Sequence, residues 1–101
     1  MIAKEVRAWA AGIVDGEGYI GKGKRIVRVD NTDMKILQNL AKYFGGTISL
    51  NRRSNRPNSK PCWYWYLCGD NCIRFLKEIS PYVISKKDRI SAIQQLRRTE
   101  L

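Results

Sequence analysis

The sequence contains no histidine, and that absence excludes several kinds of catalysis. Ser-His and Cys-His nucleophilic centres are ruled out, as are nucleases that depend on an imidazole. Any hydrolysis by this chain has to run through carboxylate, lysine and metal. Acidic residues are also scarce, 9 against 19 Lys and Arg, which leaves a net charge of +10 over 101 residues. That balance points to a polyanionic partner, nucleic acid above all. The three cysteines, Cys62, Cys68 and Cys72, lack CxxC spacing and have no histidine to complete a zinc site. They read as reduced, partly buried thiols. No apolar run approaches the length of a membrane span, and the N-terminus has no signal-peptide pattern. The expected location is therefore intracellular, with no membrane partner and no compartment specified. Repeats, linkers and low-complexity stretches are missing too, and the length suits one domain, 1–101, with a modest core.

What is present centres on the stretch from Trp9 to Gly18, Trp-Ala-Ala-Gly-Ile-Val-Asp-Gly-Glu-Gly. Ile2, Val6, Trp9 and Ile13 recur at helical spacing and predict one bulky apolar face. Ala8, Ala11 and Gly12 predict a second face, small enough for another backbone to approach closely. Gly16 and Gly18 supply the permissive backbone expected where the helix stops. Asp15 and Glu17 then fall at the helix C-terminus, where the macrodipole is already negative. Such a placement calls for a compensating cation, either a Lys or Arg or a bound metal; a solvated acidic cap is the plainer alternative. Two such helices meeting through their small faces would bring two Glu17 carboxylates together.

The run from Gly16 to Gly21 spells GxGxxG, but it leaves a helix and enters a strand, the reverse of a dinucleotide fingerprint. Tyr19-Ile20 and the alternating segment from Arg25 to Asp30 read as a hairpin, with Val27 and Val29 on the buried side. Asn31, Thr32 and Asp33 offer N-cap oxygens to a helix marked by Ile36, Leu37, Leu40, Ala41 and Phe44, ending at Gly45-Gly46. A strand follows, with Ile48 and Leu50 opposed to Ser49, Asn51 and Arg53. The basic tract from Asn51 to Lys60, which includes Arg56, reads as a hairpin loop, either solvated or reaching for phosphates. Between Cys62 and Leu67, Trp63, Trp65 and Leu67 take the core side, while Tyr64 and Tyr66 face out. Asp70 or Asn71 should cap a helix carrying Cys72, Ile73, Leu76 and Ile79, which Ser80-Pro81 ends. Ser85 and Asp88 have capping-box spacing and open a last helix with Ile90, Ile93 and Leu96, closing in Arg97-Arg98.

This order predicts an α+β fold, a four-stranded antiparallel sheet with helices on one face. The other face would carry Arg28, Asp30, Ser49, Asn51, Arg53, Tyr64 and Tyr66, with Lys22, Lys24 and Arg25 at a hairpin turn. A twisted surface of this composition can follow a DNA major groove. There Arg can read guanine, Asn can read adenine, and basic loops can hold phosphates.

The nine residues from Ala10 to Gly18 resemble the signature of the LAGLIDADG homing endonucleases, with Gly16 in place of a small Ala and Glu17 in place of an Asp. The segment from Phe75 to Lys87 resembles that family's passage from the helix after the last strand into the next helix, and the resemblance extends from Val6 to Ile93. It implies an αββαββα fold whose motif helix lies between two halves, with Ala8, Ala11, Gly12 and Asp15 at a dimer interface. It further implies that Glu17 and Gly16 hold a divalent metal, Mg²⁺ or Mn²⁺, with Ca²⁺ able to occupy the site without turnover. Lys86 (or, failing it, Lys87) takes the position of a catalytic lysine. Asn31 matches a polar residue that orders active-site water, although an N-cap role explains it equally well. One signature in the chain implies a homodimer that binds a near-palindromic duplex DNA and hydrolyses both strands. Two non-cutting alternatives share the basic surface: a maturase or regulator of the same fold, and a basic RNA-binding protein of ribosomal type.

Overall fold

Two hairpins, each following a helix, build the sheet in a computed structural model that describes residues 2–21, 25–51 and 61–91. Helix α1 (Lys4–Glu17) leads into strands β1 (Gly18–Ile20) and β2 (Ile26–Asn31). Helix α2 (Met34–Phe44) leads into β3 (Thr47–Leu50) and β4 (Trp63–Cys68), which runs directly into α3 (Gly69–Ile79). A 3-10 turn, Ser80–Tyr82, follows, and a helix α4 is described over residues 87–91. The strands lie in the order β1-β2-β4-β3, every neighbouring pair antiparallel. The αββαββα order and the α+β class expected from the sequence are those observed.

Alternation sets which side of each strand is buried. Val27, Val29, Trp65 and Leu67 are buried on the helix side, as is Ile20, with Ile48 and Trp63 partly buried against them. The aromatic centre is Phe75, edge-on to Phe44 at 4.8 Å and to Trp65 at 5.2 Å. Buried Trp needs a partner for its indole N–H, and Trp65 donates to the Gly45 carbonyl at 2.7 Å. Gly46 has φ +104°, and a Cβ there would stand 2.6 Å from the Trp65 indole nitrogen, so the α2–β3 turn needs glycine twice over.

Helix α1 turns a different face to the core from the one its bulky residues suggest. Ala10, Ala11 and Val14 have no exposure, whereas Trp9 and Ile13 are only partly buried at the flank. Ala11, expected at an interface with a second chain, is therefore a core residue. The reason is close approach: α1 lies against β2 and α3, and only small side chains fit between backbones so placed. Ala8 and Gly12 remain exposed, and nothing lies within 4 Å of a Cβ built on Gly12.

Other local expectations change as well. Helix α1 does end at Glu17 with Gly18 as its C-cap, as expected, but not because the glycine adopts a special backbone. Gly18 has φ −81°, so its backbone is ordinary; a Cβ there would sit 2.7 Å from the Val14 Cα and carbonyl oxygen. Helix α3 begins at Gly69, before the expected Asp70 or Asn71 caps, and its N-cap Cys68 makes no side-chain capping bond. Asp33 is the α2 cap, accepting from the Lys35 amide at 3.0 Å. Residues Ile93, Leu96 and Arg97-Arg98 of the last expected helix lie outside the described residues. Within those that are described, no helix is long and apolar enough to cross a membrane.

Candidate functional site

Two contacts fasten the C-terminal turn of α1 to the segment before α4. The Asp15 carboxylate accepts the backbone amides of Ile84 at 2.7 Å, Ser85 at 3.1 Å and Lys86 at 3.2 Å. Three successive N–H groups around one carboxylate form a small anion-binding concavity. Asp15, expected at an interface with a second chain, thus has its carboxylate occupied by its own chain. The same bonds fix the turn entering α4, where a Ser85–Asp88 capping box was expected. The Lys86 ammonium returns to α1, donating to the carbonyls of Val14 and Asp15 at 2.8 Å each. Those carbonyls carry the negative end of the helix dipole. Lys86 therefore places a positive charge on the carbonyl end of α1, through the backbone rather than through either carboxylate. A lysine has three N–H donors; two are used here, and the third has no partner among the described residues. Lys87 is exposed beside Ser80, Pro81 and Ile90.

Glu17 projects from the last residue of α1 and is exposed. One of its oxygens accepts the Asn31 side-chain amide at 2.5 Å. The Asn31 carbonyl oxygen in turn accepts the Asp33 backbone amide at 2.8 Å, so both ends of Asn31 are committed and its amide is aimed at Glu17. Helix α1 and strand β2 position this pair together. Gly16, exposed and with nothing within 4 Å of an added Cβ, leaves open space beside it. Among the described residues no group of three or more His, Cys, Asp or Glu side chains is placed to hold a metal.

On the outward face of the sheet, Arg28, Asp30, Ser49, Tyr64 and Tyr66 of the expected polar set fall in two cross-strand rows. One runs Tyr19, Arg28, Tyr66, Thr47, and the next runs Asp30, Tyr64, Ser49. Arg28 donates through Nε and one terminal nitrogen to the two Asp30 oxygens, at 2.7 and 2.9 Å. Asn51 donates to the same carboxylate at 2.7 Å. The guanidinium carbon lies 3.9 Å from the Tyr64 ring centroid, and the Tyr64 and Tyr66 rings are 5.7 Å apart. The hydrogen bond from Arg28, assisted by that from Asn51, holds the Asp30 pKa below its ordinary 3.8 against the opposing effect of burial. The same bond raises the Arg28 pKa. Arg25 lies 3.9 Å from Asp70, an exposed ion pair of small energetic value. Lys22, Lys24, Arg53, Arg56 and Lys60 lie outside the described residues.

Tyr19, Thr47 and Arg89, on or near this surface, fall outside the set of residues expected to form it. Tyr19 is 55% exposed and stands opposite Arg28; the alternation of β1 against β2 is the signal that places it on this face. Arg89 donates to the Ile20 carbonyl at 3.1 Å and ties α4 to the end of β1. No local pattern marks that role.

No protein-family model matches the chain, nor does any curated protein sequence. Solved structures do. One is the homing endonuclease I-CvuI in complex with the I-CreI target in the presence of Mg²⁺, with the DNA not cleaved. It aligns at TM-score 0.71 and 22% identity, covering 90% of this chain and 65% of that one. I-CvuI with its own target in the presence of Ca²⁺ aligns at TM-score 0.66 and 21% identity, over 93% of this chain and 69% of that one. The archaeal intron-encoded homing endonuclease I-Vdi141I complexed with DNA gives TM-score 0.66 and 14% identity, over 90% of this chain and 66% of that one. The chain therefore has the LAGLIDADG homing-endonuclease fold, and it spans about two thirds of the length of these enzymes.

Proposed function

We propose that the chain is the subunit of a site-specific DNA endonuclease, two copies of which pair along α1 and lay their sheets over one near-palindromic duplex. The observation that carries this reading is the convergence at the end of α1. An exposed carboxylate, Glu17, is held by Asn31 at the last residue of α1, and a lysine, Lys86, is fixed to the carbonyls of the same helix end and keeps one donor unused among the described residues. The outward sheet face and a net charge of +10 suit a polyanion at that place. Ala8 and Gly12, exposed and small, suit the approach of a second helix.

A divalent ion fits what is present. Mg²⁺ is commonly held by one or two carboxylates together with substrate phosphates and water, without an all-protein cage. Glu17 offers a hard oxygen that has no partner among the described residues, and Gly16 leaves room beside it. Glu17 and Gly16 of each copy would hold the ion, with phosphate oxygens and water completing its shell. When bound, such an ion supplies positive charge at the scissile phosphate and lowers the pKa of a coordinated water. The remaining work falls to the protein. Asn31 keeps Glu17 in place, Lys86 directs its third N–H at a phosphoryl oxygen as negative charge grows there, and Asp15 holds Lys86 in register.

Selection of cut duplexes from a random library with Mg²⁺, repeated for bound duplexes with Ca²⁺, tests the reading. The expected result is a two-fold symmetric site, cut with Mg²⁺ and bound with Ca²⁺. Enrichment by binding with no cutting in Mg²⁺ or Mn²⁺ would leave the maturase or regulator alternative.

A further inference from the structure

Resting on the proposed duplex-binding role, we infer that Arg28 and Asp30 act as one base-reading unit specific for guanine, in which Arg28 makes the contact and Asp30, held by Asn51, is the positioning residue. The covalent geometry of the guanidinium leads there. Asp30 occupies the edge made by Nε and one terminal nitrogen. What remains is the end edge, two roughly parallel N–H bonds on the terminal nitrogens, which have no further partner among the described residues. Guanine presents two acceptors, O6 and N7, on its major-groove edge, and a two-donor fork matches that pair alone among the bases.

The orientation is fixed before any DNA arrives. A free arginine samples many rotamers and has to lose that freedom on binding. Here the two bonds to Asp30, the Asn51 bond to the same carboxylate and the Tyr64 ring under the guanidinium restrict it beforehand. Arg28 sits between buried Val27 and Val29 on a central strand, so its Cα is anchored in the core while its head faces outward. About a third of each side chain remains exposed, enough to be touched.

Charge decides between a base and a phosphate. The pair is net neutral, so it exerts little pull on a phosphate, and the Asp30 carboxylate would repel one. A neutral acceptor pair such as guanine O6 and N7 meets no such repulsion. Asp30 itself accepts three hydrogen bonds within the protein, which leaves it little capacity to receive a cytosine amino group. The unit thus reads guanine through Arg28 and rejects its alternatives through geometry.

The test is position-resolved. Duplexes bound by the full chain in Ca²⁺ are selected from a random library with wild type, Arg28→Lys and Asp30→Asn, and salt slopes are measured on the preferred site. Wild type should require guanine at one position in each half-site, by roughly ten- to a hundred-fold over the other bases. Arg28→Lys keeps the charge but loses the planar fork; it should lose that preference while the salt slope and all other positions stay as they were. Asp30→Asn should weaken the same preference about tenfold and leave the rest of the site intact. If Arg28→Lys retains the guanine, Arg28 is a phosphate contact and the inference is overturned. Uniform relaxation across the site in Asp30→Asn would make Asp30 merely structural and overturn its role. Failure of wild type to enrich any duplex, or enrichment of RNA alone, would bring down the DNA-binding reading and this inference with it.

Discussion

Asp15 and Lys86 hold each other's backbones: the carboxylate accepts the Lys86 amide at 3.2 Å, and the ammonium donates to the Asp15 carbonyl at 2.8 Å. The arrangement clamps the entry to α4 onto the last turn of α1 from both sides. Removing the carboxylate leaves three amides without a charged acceptor and loosens Lys86. Asp15→Ala should lower stability by roughly 1–2 kcal/mol, discounted for partial solvent access, as read by urea unfolding. On the proposed function it should also reduce cleavage more than duplex affinity, because a displaced lysine would matter at the phosphate chiefly as charge develops there.

Glu17→Gln keeps the size and a carbonyl oxygen but removes the charge. It is expected to abolish Mg²⁺-dependent cutting while leaving Ca²⁺-supported duplex binding within a few-fold. Unimpaired cutting by this variant would remove Glu17 from the site.

Asp30 carries a pH signature. Its folded pKa lies below the ordinary value because of Arg28. The stability it contributes is therefore complete above the unfolded pKa, near 3.8, and is lost as pH falls through the lower folded value. Wild type should exceed Asp30→Asn in urea midpoint at pH 6, and the gap should close progressively below pH about 4. A gap that is constant down to pH 2 would mean that the carboxylate's charge is irrelevant.

Gly18 tests the packing at the motif's end. A Cβ there would meet Val14 at 2.7 Å, so Gly18→Ala forces α1 and β1 apart. The expected loss is about 1–3 kcal/mol, the usual cost of overpacking, with cleavage impaired because Glu17 moves with the helix end.

The thiols should separate by reactivity. Burial pushes the Cys72 pKa up to about 12, leaving it protonated and shielded at neutral pH, whereas Cys68 is exposed. Alkylation of the native protein at pH 8 should label Cys68 well before Cys72, with Cys72 reacting on denaturation.

The parts of this fold that were legible in the sequence are those governed by short periods. Val27 and Val29, then Trp65 and Leu67, declare their buried side by simple alternation, and Arg28, Tyr64 and Tyr66 fall on the opposite face by the same rule. The strong apolar stripe of α2 is equally plain. Helix α1 was harder, because small residues occur on two of its sides and spacing alone does not say which side meets the sheet. Ala11, expected for that reason on the side facing a second chain, lies on the core side. Long-range partners left no trace. The Asp15 carboxylate finds the Ile84 amide 69 residues later, a meeting that only the packed fold brings about. Lys86 and Asn31 stand out only through the family resemblance, and their bonding partners exist only in the packed fold.

The pairing of β2 with β4 at the centre of the sheet has an evolutionary consequence. Along both strands, residues that hold the molecule together alternate one for one with residues that face outward. Exchanging Arg28, Tyr64 or Tyr66 leaves Val27, Val29, Trp65 and Leu67 in their sockets. On the proposed function, target preference could then change by point substitution on the outward face while the buried face keeps the sheet packed, whereas the end of α1, bonded to Ile84, Ser85 and Lys86 through Asp15, couples any change there to its neighbours.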